Sequence, residues 1–160
     1  ILLDEDSAIS YLKSINFFED HGFEEDNYGI IDNISNICYE YRWNFSKQET
    51  VEIYRMIEVP SVDDIDFNNI GQSWSFKKGG VGTYDAGVGN QFNKNWDRKD
   101  AKKLTMTATV NTNDINWEGT LIANAIYGDE QFECEMKKDS IAIVTHIDDN
   151  KLKTFLKSKV

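Results

Sequence analysis

From Thr50 to Val59 the sequence alternates without a break. Val51, Ile53, Arg55, Ile57 and Val59 fall on one side, and Glu52, Tyr54, Met56 and Glu58 on the other. A period of two sustained over this length is the mark of a strand with one face buried. Four β-branched residues define that face, and Arg55 stands in the middle of it. An unpaired charge in such a place is costly, so the guanidinium must reach past the strand to water or meet an anion. Two readings stay open: a structural ion pair with a nearby carboxylate, or a planar donor set for a phosphate or a ligand amide. Pro60, the only proline, ends the strand, and the acidic stretch Ser61 to Ile70 connects onward.

Other stretches repeat the alternation. In Gly71-Gln72-Ser73-Trp74-Ser75-Phe76 the bulky Trp74 and Phe76 share a side with Gln72, and the hydroxyls of Ser73 and Ser75 take the other. From Gln131 to Met136, Phe132, Cys134 and Met136 make an apolar face, and Gln131, Glu133 and Glu135 a polar one. Lys103 to Thr112 sets Leu104, Met106, Ala108 and Val110 against threonines, and Ile141 to Ile147 reads as a last strand. Ile115 to Ile126 fits a strand or a short helix, with Trp117, Leu121 and Ile122 inward.

Helical spacing dominates the N-terminal part. Residues 4–18 carry Ile9, Leu12, Ile15 and Phe17 as a stripe, with Asp6 or Ser7 as cap. His21 to Tyr28 reads as a loop. Ile30, Ile34, Ile37, Tyr41 and Phe45 predict a second helix, capped by Asp32 or Asn33. Asp149 to Lys159 is expected to be a short terminal helix, with Leu152, Phe155 and Leu156 inward. Lys77 to Asn90 holds Gly79, Gly80, Gly82, Gly87 and Gly89. It lacks both the Lys-Ser/Thr ending of a P-loop and the spacing of a dinucleotide fingerprint, so it reads as a loop near the site, anchored by Tyr84. Gln91 to Lys103 is polar and expected at the surface, apart from Phe92 and Trp96.

With 160 residues and no linker or repeat, the chain reads as one α+β domain: a helical part over 1–48 and a mostly β part over 49–160. A net charge of −11 opposes general affinity for nucleic acid. Cys38 and Cys134 make neither a disulfide framework nor a zinc site, and reduced thiols are expected. His21 and His146 lie outside the polar stretches and no pair has zinc-ligand spacing, so the residues offer no metal site. No apolar run approaches the ~20 residues that span a bilayer. Ile1 stands where a methionine would open a complete chain, which points to residues or a leader ahead of it; nothing within the sequence reads as a signal peptide.

Taken in order, Tyr54-Arg55, Ser73-Trp74-Ser75 after Gly71, and Gln131-Phe132-Glu133 resemble the mono-ADP-ribosyltransferases of the arginine–serine–glutamate class, most of all the small phage- and bacterial-type members. The resemblance covers about residues 50–147. It implies a split β-sandwich with N-terminal helices around a central cleft for NAD, which is the substrate. By the same resemblance, Arg55 holds the NAD phosphates and Ser73 supports the cleft and orients the glutamate. Ser75, Gly71 and Tyr54 line the NAD site. Glu133 binds the nicotinamide ribose and stabilises its oxocarbenium-like centre as nicotinamide leaves. A fixed carboxylate in a desolvated cleft favours such a transition state over its ground state.

Two departures from the family pattern matter. Trp74 stands where many relatives have Thr. Gln131 stands where arginine-modifying members have Glu, with Gln131 or Glu135 then orienting the acceptor. Glu133-Cys134-Glu135 also spells a Glu-x-Glu motif, which makes Glu135 catalytic and Glu133 the acceptor-orienting group. Alternation cannot choose between the two glutamates, and the distance to the Asp139-Ser140 turn favours Glu133.

The implied partners are NAD and a host or cellular protein acceptor, with no membrane, for a monomer in the bacterial cytoplasm or a secreted effector. The competing readings are an inactive relative serving as a binding or inhibitor module, and an unrelated α+β interaction domain.

Overall fold

The computed structural model describes residues 4–40, 42, 48–77, 102–147 and 156–160. Their elements run α1 (Glu5–Ser14), α2 (Phe17–His21), α3 (Tyr28–Glu40), β1 (Thr50–Val59), β2 (Ser73–Ser75), β3 (Lys102–Asn111), α4 (Trp117–Gln131), β4 (Glu133–Glu135), β5 (Ile141–Ile147) and β6 (Leu156–Lys159). The mixed α+β class follows. The described strands form one antiparallel sheet in the order β4-β2-β1-β3-β5-β6.

Its frame is β1 against β3, paired residue for residue from Thr50↔Asn111 to Val59↔Lys102. Val51, Ile53, Ile57 and Val59 of β1 are buried, as are Leu104, Met106, Ala108 and Val110 of β3. Ala142, Val144 and Ile147 of β5 extend the same face, across a register shift at Thr107/Ala108. Ala8 and Leu12 of α1, Phe17 and Phe18 of α2, and Ile30, Ile34 and Ile37 of α3 join this core. Burying such a side chain contributes about 1.5–3 kcal/mol, so the core carries most of the fold's stability.

The other half of the sheet is slight. β2 and β4 pair over three residues, Ser73↔Glu135, Trp74↔Cys134 and Ser75↔Glu133. This ribbon joins the frame through a single pair, Tyr54↔Ser75. Trp74, Phe76, Cys134 and Met136 turn its apolar face into the common core.

Several sequence expectations change. The first helix is capped by Asp4, whose carboxylate accepts from the Asp6 and Ser7 amides, rather than by Asp6 or Ser7. It stops at Asn16, whose left-handed backbone (φ 59°) separates α1 from α2. The second helix begins at Tyr28, with Asn27 Oδ1 accepting from the Ile30 amide at 3.2 Å. Asp32 and Asn33 therefore lie inside it. Asn33 is buried and donates to the Ala125 carbonyl of α4 at 3.1 Å, so its amide ties two helices instead of capping one.

The segment left between strand and helix is α4. It takes Gln131 into its last turn, so Gln131 does not share a strand with Glu133 as the alternation suggested. Phe132, left-handed at φ 45°, makes the break that starts β4. The expected terminal helix is contradicted where it is described: Leu156–Lys159 is a strand paired with Ile141–Val144. Three apolar residues at helical spacing are a weak signal there against the free edge of β5. The Gly79–Gly89 loop, Tyr84, Phe92, Trp96 and residues 43–47 lie outside the described residues.

Candidate active site

Strand pairing fixes which side chains share a face. Because Ser73 faces Glu135, Ser75 faces Glu133 and Tyr54 faces Ser75, all five project to one side of the sheet, opposite Trp74 and Cys134. Arg55, next to Tyr54, belongs to the core side and is 3% exposed. Its long side chain nonetheless reaches the seam between frame and ribbon. One guanidinium nitrogen donates to the Ser73 carbonyl, close to where the β1–β2 pairing gives out. The buried arginine of the apolar stripe is thus brought to the serine strand.

The Ser73 hydroxyl donates to Glu133 Oε1 at 2.6 Å, diagonally across the ribbon. Glu135, directly opposite Ser73, is held differently. Among the described residues no hydrogen bond reaches its carboxyl. Burial, reinforced by the neighbouring Glu133 carboxylate, pushes that carboxyl up to about 7, and the Arg55 charge pulls the other way. A half-buried carboxyl beside a second carboxylate is a place where added positive charge is favoured.

The remaining expected site residues have definite places. Ser75 is buried, and its hydroxyl donates to the Lys77 carbonyl at 2.9 Å while accepting from the Lys77 amide at 3.1 Å. Its hydroxyl thus pins the chain leaving β2. Gly71 has φ 89°, a backbone region that L-residues avoid, and its carbonyl accepts from the Trp74 indole at 2.8 Å. It turns the chain into β2 and locks the ring that fills the ribbon's core side. The Tyr54 hydroxyl donates to Glu52 at 3.2 Å, and burial, with Glu52 adding to it, holds its phenol above the usual range.

Sequence reasoning missed the residues that carry the glutamate strand. Among the described strands β4 lies at the edge, and α4 covers that edge with polar side chains. Thr120 Oγ1 accepts the Glu135 amide at 2.9 Å. Asn124 Nδ2 donates to the Glu133 carbonyl at 2.7 Å and to the Thr120 carbonyl at 2.8 Å. The Asn116 amide donates to the Glu135 carbonyl at 2.8 Å. Gly119, in the first turn of α4, leaves room for the glutamate itself: a Cβ there would stand 3.1 Å from Glu135 Cγ. Thr120 and Asn124 sit four apart among apolar residues, which is a signal for a buried polar pair but names no partner.

Cys38 and Cys134 are free and buried, and burial raises both thiols, Cys38 to about 11. Neither is disposed to act as a nucleophile. Among the described residues no cluster of His, Cys, Asp and Glu is arranged to hold a metal ion, and no helix is long and apolar enough to cross a membrane.

Compared with known proteins, the chain matches no family model, no curated protein and no solved structure.

Proposed function

We propose that the chain is an NAD-dependent mono-ADP-ribosyltransferase that moves ADP-ribose from NAD to a protein side chain and releases nicotinamide. One observation carries the reading. Arg55, Ser73 and the Glu133-x-Glu135 pair meet at one seam, although Ser73 lies 18 residues beyond Arg55 and Glu133 60 beyond Ser73. On this reading the sandwich would divide at that seam, where the single Tyr54↔Ser75 pair joins ribbon to frame.

The residues fit the substrate chemically. Arg55 supplies planar cationic donors for the diphosphate. NAD, when bound, supplies a glycosidic bond whose cleavage places positive charge on the ribose. Glu135 is the carboxylate for that charge: it lies opposite Ser73, feels Arg55, and no described residue holds its carboxyl by a hydrogen bond. Ser73 fixes Glu133, the group for the incoming acceptor. This exchanges the roles that the Asp139-Ser140 spacing favoured, and with Gln131 on a helix the Glu-x-Glu register takes the place of Gln-x-Glu. A fixed charge of this kind is worth about 3–4 kcal/mol to the transition state. The net charge of −11 favours a protein acceptor over RNA. A monomer acting in the bacterial cytoplasm belongs to the same proposal.

Incubation with labelled NAD, with and without bacterial lysate, tests it. Nicotinamide release is expected for the wild type and is lost in Glu135→Gln. Glu133→Gln keeps hydrolysis and loses label on protein. Absence of turnover together with absence of NAD binding by calorimetry removes the enzyme reading.

A further inference from the structure

The two glutamates sit on a three-residue strand at the edge of the described sheet, and an isolated ribbon of that length is marginal in water. A slip of one residue would turn both carboxyls to the core side and Cys134 outward. Something other than strand pairing must hold the register.

We propose that Thr120 and Asn124 are positioning residues that bond the outer side of β4 as a neighbour strand would, fixing the height and register at which Glu133 and Glu135 face the site. The inference rests on the reading above for its consequence, and on geometry alone for its substance. In an antiparallel ribbon alternate residues bond to each side. Phe132 and Met136 bond to the residues that flank β2, Phe76 and Gln72, at 2.9 and 2.8 Å. Glu133 and Glu135 therefore turn their backbone groups away from β2, and α4 meets those groups: the Glu133 carbonyl at Asn124, the Glu135 amide at Thr120 and the Glu135 carbonyl at Asn116.

Thr120 and Asn124 are 0% and 1% exposed, so water does not compete for these bonds. The two residues are also bonded to each other, through Asn124 Nδ2 and the Thr120 carbonyl, so the lock is one unit. Spacing of four residues on a helix puts both side chains on the same face, one turn apart. One turn of helix rises about 5.4 Å. The Glu133 carbonyl and the Glu135 amide flank one residue, so they stand between one and two strand rises apart, about 3.4–6.8 Å. The pair therefore roughly matches the separation of the groups it meets on Glu133 and Glu135.

The test uses the whole chain with Thr120→Val, Thr120→Ser and Asn124→Ala. Amide exchange at Glu135 is read by NMR beside nicotinamide release. Valine keeps the shape and removes the acceptor. It is expected to lower protection of the Glu135 amide at least tenfold relative to amides of β1, to lower kcat about tenfold with KM for NAD little changed, and to move the acidic limb of the pH profile. Serine restores all three. Should Thr120→Val fail to fold, Asn124→Ala, which frees the Glu133 carbonyl, carries the same expectations at reduced size. Leu121→Ala, a core change on the same helix, lowers stability without moving the pH limb.

Unchanged Glu135 protection and an unchanged pH limb in folded Thr120→Val overturn the proposal. If the wild type turns over no NAD, the enzymatic reading fails while the exchange data still decide whether the lock exists.

Discussion

The β1–β3–β5 frame and the β2–β4 ribbon belong to one sheet but are held together by different physics. In the frame, ten consecutive pairs between β1 and β3 and an apolar face broken only at Arg55 supply both register and stability. In the ribbon three pairs suffice, because side chains finish what the backbone leaves open. Arg55 bonds the Ser73 carbonyl, Ser75 pins Lys77, the Trp74 indole bonds Gly71, and Thr120 and Asn124 hold the outer edge. Buried polar bonds are directional where apolar packing is not, and a site needs directional placement.

The sharpest way to separate the two is Glu135→Gln. On the proposed reading it lowers kcat for nicotinamide release about 10²–10³-fold, as removal of a preorganised charge does. The protein stays folded, because no described residue bonds the carboxyl that is lost. In the frame the signs reverse. Ile53→Ala, at a position 0% exposed, is expected to cost about 2–5 kcal/mol in urea unfolding and to leave the kcat of the folded fraction unchanged. If Ile53→Ala changed kcat while leaving the unfolding midpoint alone, the division between the halves would be wrong.

That division also sets what the sequence discloses. β1 was legible to the residue, because alternation over Thr50–Val59 follows from burial of one face. β3 was legible for the same reason, shifted by one residue at each end, and the bounds of β5 match although its buried residues do not alternate throughout. Burial of Arg55 was legible as a charge in an apolar stripe; its partner, a backbone carbonyl 18 residues on, was not. Gln131 shows where alternation fails. Three polar residues spaced by two read as one strand face, yet the left-handed Phe132 divides helix from strand between Gln131 and Glu133. A conformation fixed by tertiary packing leaves no periodic trace. Thr120 and Asn124 escaped for a related reason: their partners are main-chain groups, which have no side-chain identity to pair with in a sequence.

A smaller effect bears on the ribbon alone. The Glu135 carboxyl, at about 7 in the folded chain against an ordinary 4.5, disfavours its own ionisation. A group raised on folding adds stability that is complete below its unfolded value and lost as pH rises through its folded one. Unfolding free energy is therefore expected to fall by about 1–2 kcal/mol between pH 5 and 8, after allowance for partial exposure. Burial sets the rise, Glu133 on the same strand adds to it, and Arg55 on β1 opposes it. Glu135→Gln should remove that slope. Activity runs the other way, rising as the carboxylate forms, so stability and turnover should cross near pH 7. A slope that persists in Glu135→Gln would assign it to another group.

The smallest effect is expected where the ribbon meets solvent. Lys77 Nζ lies 2.8 Å from Glu40 Oε1 at the end of α3 and 4.1 Å from the centre of the Phe132 ring. It thus touches the helix layer and the left-handed residue that opens β4. The lysine side chain is 47% exposed, so its ion pair is screened and its cation–π contact only partly desolvated. Lys77→Met keeps the stem over the ring and removes the charge. The expected cost is about 0.5–1 kcal/mol in low-salt urea unfolding, shrinking toward zero in 1 M salt, where the screening length is about 3 Å. A loss well above 2 kcal/mol that salt does not relieve would mean that the ribbon depends on this exposed anchor as much as on its buried bonds. The contrast between frame and ribbon would then be one of solvent exposure rather than of bond type.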